Sequence, residues 1–536
     1  MAADLYPRLR LVRVEESVQL PDAFTIRIDD PHFELMDAGT FTLGTTVEIA
    51  FRAESDPLVV TEGEVTAIGV EPGLSGRHEL VVSGLDRGHR LARSIRTRSF
   101  QHMSDAAIVR QIAGEYGLDV EAAAGGPTHD YVLQAGQTDY AFLLDRAVRL
   151  GYDLWVTGST LHFAPKPKAE GTPPALRWGD NLRSFRVRFS AAERCDEVVV
   201  HGWDGVGKRA VTGRATEGDP GCDAPAVERM TAAARRAFGK VTRETGRGGI
   251  PTQAEADALA ASLMHRASGA GVVLRGEAFG DPRIAAGATV RIERVGQELA
   301  GSYLLSSVEH CFGSDQPYVT RFVSGARDPA ALVDLTSGSG AAARGTSTNP
   351  AGHSLLVGEV TNNDDPDGLG RVKVRFPTLS ADDESTWARL VTPGAGKSRG
   401  MQWLPEVGDE VLAAFAWGDV HRPVVLGGLW NRSDPPPESA PVKGGQTTTR
   451  LLASRKDHRI ELVDDPTSSV EIRLGDAACR LHLEQSETSL EGEQKVVVSG
   501  QEIEVTATSK LVLTAPQVEI SADSALTLSG QPIKLN

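Results

Sequence analysis

The stretch of this sequence that most resembles a reaction site is PGAGKS (Pro393 to Ser398), which ends like a phosphate-binding loop. Such a loop wraps phosphate oxygens in backbone N–H groups. It needs a second glycine separated from Gly396 by four residues and a helix directly after the lysine. Val391 stands where that glycine belongs, and Met401, Trp403, Pro405 and Gly408 follow, so the stretch reads as a loop between strands. The carboxylates Asp364, Asp365 and Asp367 could hold calcium or act as an acid and base pair. A calcium loop needs alternating oxygen ligands closed by a glutamate at its twelfth position. That frame is not met, and DDPDG reads as a turn.

The familiar hydrolase patterns HExxH and GxSxG are absent, and the thirteen histidines form no HxH pair. His482, inside the apolar-polar alternation of Arg480 to Leu483, reads as an outward polar residue. Cys195, Cys222, Cys311 and Cys479 are scattered without a CxxC pair, which suggests neither a zinc knuckle nor a disulfide framework. No catalytic residue, metal or cofactor is expected, and the chain reads as a non-enzyme.

The elements that would position any site fall into three regions. The chain has 536 residues, too many for one core, with 56 glycines and 5% aromatics, a composition rich in turns and short strands. Its formal charge of -16 argues against phosphate neutralisation, and so against nucleic acid as a partner. No run approaches the roughly 20 apolar residues of a membrane-spanning helix. The start, MAADLYPRLRLVRVEE, lacks the apolar run of a secretory signal, so synthesis in the cytoplasm is expected.

Residues 1–334 mix strands with a few helices. Phe24, Ile26 and Ile28 alternate with polar residues, as do Val47, Ile49 and Phe51, the period of half-buried strands. Tyr140, Leu143, Leu144, Ala147 and Val148 line one face of a helix, with Thr138 to cap it and Gly151 to stop it. Leu154 to Val156 and Leu161 to Phe163 flank a turn and predict a hairpin. Further helices are expected from Ser104 to Tyr116 and from Gln253 to about His265. After a Gly/Ala/Ser/Thr-rich linker at 335–354, residues 355–432 carry about five short strands, the content of a small closed barrel such as the OB-fold. A second, Pro-rich linker spans 433–445.

Residues 446–536 end in a repeat. The apolar pairs Val496/Val498, Ile503/Val505, Leu511/Leu513, Val518/Ile520, Leu526/Leu528 and Ile533/Leu535 start at intervals of 7, 8, 7, 8 and 7 residues. That is the pattern of stacked β-structure. One chain would leave these teeth wet, whereas three copies about one axis would cover them. These twelve residues are therefore expected to form the core of a trimeric needle, and a homotrimer follows. The overall class is α+β, mainly β: a two-part hub, an OB barrel and a C-terminal trimeric β-prism or β-helix.

The segments QTDYAFLLDRAVRLGYDLWVTGSTLHF (Gln137 to Phe163), VVVHGWD (Val198 to Asp204) and GSYLLSSVEH (Gly301 to His310) resemble the hub domain of the VgrG and phage late-control-D tail spikes. VGEVTNNDDPDGLGRVKVRFP (Val357 to Pro377) and LPEVGDEVLAAFAWGDVHRPVVLGGLWN (Leu404 to Asn431) are similar to that family's OB-fold, also called baseplate-V-like. LPDAFTIRIDD (Leu20 to Asp30) looks more like the spikes of extracellular contractile injection systems and phages than like the usual type VI opening.

The resemblance implies a structural central spike that couples the inner tube and baseplate to a piercing tip. Tube and baseplate proteins would seat on the N-terminal hub. A PAAR-type tip protein would dock on Gly530, Gln531, Pro532, Ile533, Lys534, Leu535 and Asn536. Effector cargo would travel in the tube or on the tip, the target membrane would be met only transiently, and the particle would be cytoplasmic or released. The alternatives within the family are a type VI secretion spike and a phage tail spike. The alternative of a different class is a receptor- or glycan-binding adhesin, which would favour exposed aromatics near the C-terminus, and none follows Trp430.

Overall fold

The structure is a computed structural model that describes residues 5–52, 57–73, 76–123, 128–165, 172–192, 194–246, 250, 252–314, 316–325, 354–475 and 479–534. Most of the expected linker at 335–354 lies outside the described residues. The chain divides into two compact units, Met1–Leu429 and Trp430–Asn536.

Helix Asp139–Leu150 forms where its periodicity places it. The Thr138 hydroxyl accepts from the Ala141 N–H at 3.2 Å, and Gly151 closes the last turn at φ 72°, a conformation that costs a residue without a side chain little. Tyr140, Phe142, Leu143, Leu144 and Ala147 are buried. They meet Ile108 and Ile112 of helix Asp105–Glu115, capped by Ser104, and the antiparallel hairpin Asp153–Thr157 with Thr160–Ala164. A parallel strand, Asp119–Ala122, completes this three-stranded layer. Helix Gln253–Ala270 starts as expected, capped by Thr252, and runs past His265 because Met264 and Ala267 continue its buried face. Helix Pro225–Phe238 has no counterpart in the sequence reading. Its apolar stripe, Val227, Met230, Ala234 and Phe238, is interleaved with alanines and arginines, and only Ala226 is fully buried within the chain.

The largest sheet has a main path of nine strands. In spatial order these are Leu182–Phe189, Val272–Phe279, Gln316–Ser324, Gly301–Gly313, Leu9–Ser17, Ala23–Asp29, His78–Leu85, Pro57–Pro72 and Thr46–Arg52. Neighbours along it run antiparallel. Each end of the sheet covers its own core. Val14, Phe24, Ile26, Ile28, Leu80 and Val82 fill one, and Leu274, Tyr303, Leu305 and Phe322 fill the other.

Residues 356–428 form a five-stranded sheet in the order Lys373–Arg375, Leu356–Asn362, Glu410–Phe415, Pro423–Gly428 and Arg389–Leu390. A bridge between Val372 and Ala388 helps to curl it around Val360, Val374, Val411, Ala413 and Val425. Leu133 and Ala135, from the strand Thr128–Thr138, pack into the same core. The Asp383 carboxylate accepts from the Ser99 N–H and hydroxyl, so this barrel and the helical layer are joined inside the first unit.

The second unit contains a five-stranded antiparallel meander, Thr449–Ala453, Arg459–Val463, Ser469–Arg473, Arg480–Glu484 and Thr488–Glu491. Beyond it, the described residues 493–534 form neither strand nor helix within the chain, and all are exposed. The repeat spacing read as stacked β-structure therefore finds no hydrogen-bonded ladder within a single copy.

One buried group gives the fold a pH dependence. His310 is fully buried. Its Nε2 lies 3.0 Å from the Ile284 carbonyl, to which Nε2–H donates, and its Nδ1 accepts from the Tyr318 hydroxyl at 2.7 Å. Burial pushes its pKa down to about 4, against the opposing pull of the Ile284 carbonyl and Asp281; Glu16 lies 3.7 Å away. An unfolded histidine takes up a proton near 6.5, so the folded state loses stability as pH falls from about 6.5 to about 4. We expect the urea midpoint of the first unit to drop across that window and the drop to flatten in His310→Gln. An unchanged slope in that variant would remove His310 as its source.

Candidate functional site

The loop PGAGKS builds no phosphate cradle. Ala395–Gly396 pairs with Arg399–Gly400 in a small exposed hairpin, and the chain then continues without a helix. In DDPDG, the Asp365 carboxylate accepts from the backbone of Asp367, Leu369 and Arg371 and from the Arg371 guanidinium. The Arg371 guanidinium beside it holds that carboxyl far below the usual carboxylate range. These oxygens are consumed in fixing a turn.

Cys195, Cys222 and Cys311 are buried and Cys479 is half-buried, and all four are free thiols. Burial pushes the thiols of Cys195 and Cys222 up, away from the reactive thiolate. Among the described residues, no group of three or more His, Cys, Asp or Glu side chains is placed to share a metal ion.

The feature that stands out is a surface. Strict alternation in the C-terminal meander puts all side chains of one parity on one face. Register places Leu452, Ile460, Ile472, Leu481 and Leu490 side by side across all five strands. A second row, Arg450, Leu462, Val470, Leu483 and Thr488, lies beside it. The opposite face is charged. Asp457 bridges Arg459 and Arg473, Glu491 accepts from Nε and Nη2 of Arg480, each at 3.0 Å, and Nδ1 of His482 lies 3.2 Å from Glu471. The Arg459 guanidinium holds the Asp457 carboxyl below its usual range. His482 thus belongs to the polar face, as its place in the alternation implies.

The arrangement is inverted relative to a sheet that covers a core of its own chain. Leu452, Ile460, Leu462, Ile472, Leu483 and Leu490 are 39–59% exposed. Of the residues expected in the needle core, Val496, Val498, Ile503, Val505, Leu511, Leu513, Val518, Ile520, Leu526, Leu528 and Ile533 are 48–69% exposed. Leu535 lies outside the described residues. Of the expected tip platform, Gly530, Gln531, Pro532, Ile533 and Lys534 are exposed, and Leu535 and Asn536 lie outside the described residues. The sequence reading began its apolar pairs at Val496 and passed over Ile460/Leu462, Val470/Ile472 and Leu481/Leu483. These pairs carry the same i, i+2 signal at wider spacing.

Comparison with known proteins fits this geometry. Residues 356–430 match the type VI secretion system and phage-baseplate injector OB domain, and residues 19–313 match the Alg8 N-terminal domain. The type VI secretion system spike protein VgrG1c of Pseudomonas aeruginosa is 33% identical over 93 residues, 17% of this chain and 13% of that protein. VgrG3 of Vibrio cholerae is 33% identical over 113 residues, 20% of this chain and 11% of that protein. The matched part is thus a small share of those relatives' own length.

A chain of the Francisella PdpA–VgrG complex in its half-lidded form shares the fold at a TM-score of 0.52 and 8% identity, over 90% of this chain and 83% of that one. The lidless PdpA–VgrG complex gives 0.53 at 8% identity, over 90% and 93%. The match over residues 19–313, more than half of its length, places the chain in the Alg8 N-terminal domain family, and by its injector OB domain and its spike relatives it belongs to the family of VgrG and phage-baseplate spike proteins.

Proposed function

We propose that this protein is the structural central spike and hub of a contractile injection system, acting as a homotrimer without enzymatic activity. The observation that carries the proposal is the uncovered apolar face of the meander, continued by exposed apolar pairs to residue 533. An isolated single-layer sheet cannot keep such a face in water, because apolar area left exposed forfeits about 25 cal/mol per Å². Three copies about one axis would cover three such faces at once and leave the charged faces outward. A spike made this way is stiff because its core lies between chains along its whole length.

The N-terminal hub is the seat for inner-tube and baseplate proteins, and Gly530 to Asn536 the platform for a PAAR-type tip protein. The N-terminal resemblance supports an extracellular, phage-tail-like particle over a type VI spike. Assembly starts in the cytoplasm, and effector cargo rides in the tube or on the tip. The target membrane is met only during penetration.

The test is mass in solution. Full-length protein should run by light scattering at three times 57.1 kDa, about 171 kDa. A full-length monomer in native buffer would overturn the reading. Ile472→Asp places a charge in the middle of the apolar row. It should lower the temperature or urea concentration at which the trimer dissociates, because a buried unpaired carboxylate costs several kcal/mol. Glu484→Gln, on the charged face, should leave dissociation unchanged. Equal effects from both would place the contact elsewhere.

A further inference from the structure

One imidazole nitrogen in the first unit faces two groups that it cannot satisfy together. Nε2 of His129, near the start of the strand Thr128–Thr138, lies 3.0 Å from an oxygen of the Asp105 carboxylate and 2.7 Å from Nη2 of Arg146. Asp105 opens helix Asp105–Glu115, and Arg146 belongs to helix Asp139–Leu150. Nε of Arg146 also donates to Asp105, at 2.5 Å. The Asp105 and Arg146 side chains are buried, and that of His129 is 14% exposed. Burial pushes the Asp105 carboxyl up, but His129 and Arg146 outweigh it and hold the group below its ordinary value, so it stays ionised and can only accept. A guanidinium can only donate, and an imidazole nitrogen carries either a proton or a lone pair. With Nε2 bare, the ring accepts from Arg146 and turns its lone pair on a carboxylate. With Nε2 protonated, it donates to Asp105 and sets an N–H against those of Arg146.

The shorter contact is the one to Arg146, which assigns a bare Nε2 to the neutral ring and leaves its proton on Nδ1. A second proton must then sit on Nε2 and brings two positive groups together. Glu255 offers the displaced guanidinium a place. It lies in the first turn of helix Gln253–Ala270, close enough to feel the charges of His129, Arg149, Arg146 and Arg422, and among the described residues it has no ion pair. Burial pushes its carboxyl up despite those four groups. The other cations nearby have acids of their own: Asp145 accepts from Arg149 at 3.1 Å, and Asp419 lies 2.6 Å from His421 and 3.7 Å from Arg422. On the strand itself, Asp130 faces His102 at 3.9 Å, and both are exposed.

We propose that His129 is a proton switch: when the ring takes up a second proton, Nε2–H donates to Asp105 and the free end of Arg146 swings to Glu255. The strand Thr128–Thr138 then keeps its tie to helix Asp105–Glu115 and loses the one to helix Asp139–Leu150. The same strand sends Leu133 and Ala135 into the barrel core, so acid loosens the element that joins the helical layer to the barrel. The switch uses contacts within one chain and does not depend on the homotrimer reading.

The experiment follows amide exchange of the full-length protein by mass spectrometry from about pH 8 to about pH 5, the window in which imidazoles change charge. Each rate is divided by the intrinsic rate of the unfolded chain at that pH. Protection of peptides covering 128–138 and 139–150 should fall by about tenfold or more across the window in the wild type. In His129→Gln, whose amide offers Arg146 an acceptor and Asp105 a donor at every pH, it should stay level. In Glu255→Gln the midpoint of the fall should move to lower pH, because a negative charge that favours the second proton is gone. A residue that only packs would leave the midpoint where it is. Peptides covering 301–313 report His310 separately. Level protection in the wild type would overturn the switch, and so would a fall that persists in His129→Gln, which would assign it to another group such as Glu255. If His129→Gln fails to fold, Glu255→Gln decides alone, since Glu255 has no ion pair among the described residues to lose, and an unmoved midpoint overturns the proposal.

Discussion

Apolar side chains on a sheet one layer thick need something to lie against. In the C-terminal meander Leu452, Ile460, Ile472, Leu481 and Leu490 form an unbroken row across five strands, and among the described residues no second layer lies over them. The opposite face is held by ion pairs that work in water, so the sheet keeps its shape while its apolar side stays open. The proposal of a trimer follows from this inversion. Surface ion pairs contribute little stability each, in the range of about 0–1 kcal/mol, so most of what holds such a unit must come from covering the apolar row.

How much of this was legible in the sequence depended on the range of the interactions involved. Helix Asp139–Leu150 was read correctly because all its determinants are local: a Thr cap, a 3.6-residue apolar stripe and a terminal glycine. The hairpin after it was legible for the same reason. The barrel was readable through long motifs and through the alternation of Val372, Val374 and Phe376.

The order of the largest sheet was not legible, because it joins Leu9–Ser17 to Gly301–Gly313 across nearly 300 residues, and no local pattern encodes a partner so distant. Helix Pro225–Phe238 has a periodic trace in Val227, Met230, Ala234 and Phe238, but this stripe is short of large apolar residues and little of it is buried in the chain, so it stands out less than the stripe of Asp139–Leu150. The apolar face at 452–490 was missed for a subtler reason. Its pairs start at residues 460, 470 and 481, steps of 10 and 11 residues that fall outside the shorter 7- and 8-residue period after Val496.

An apolar seam is strong but tolerant, since the hydrophobic effect is non-directional and accepts many alignments. It supplies stiffness and says little about which way a neighbour faces. A shaft that must resist bending needs that property, and the exposed apolar pairs that continue the meander to residue 533 give it to the part of the chain that would use it.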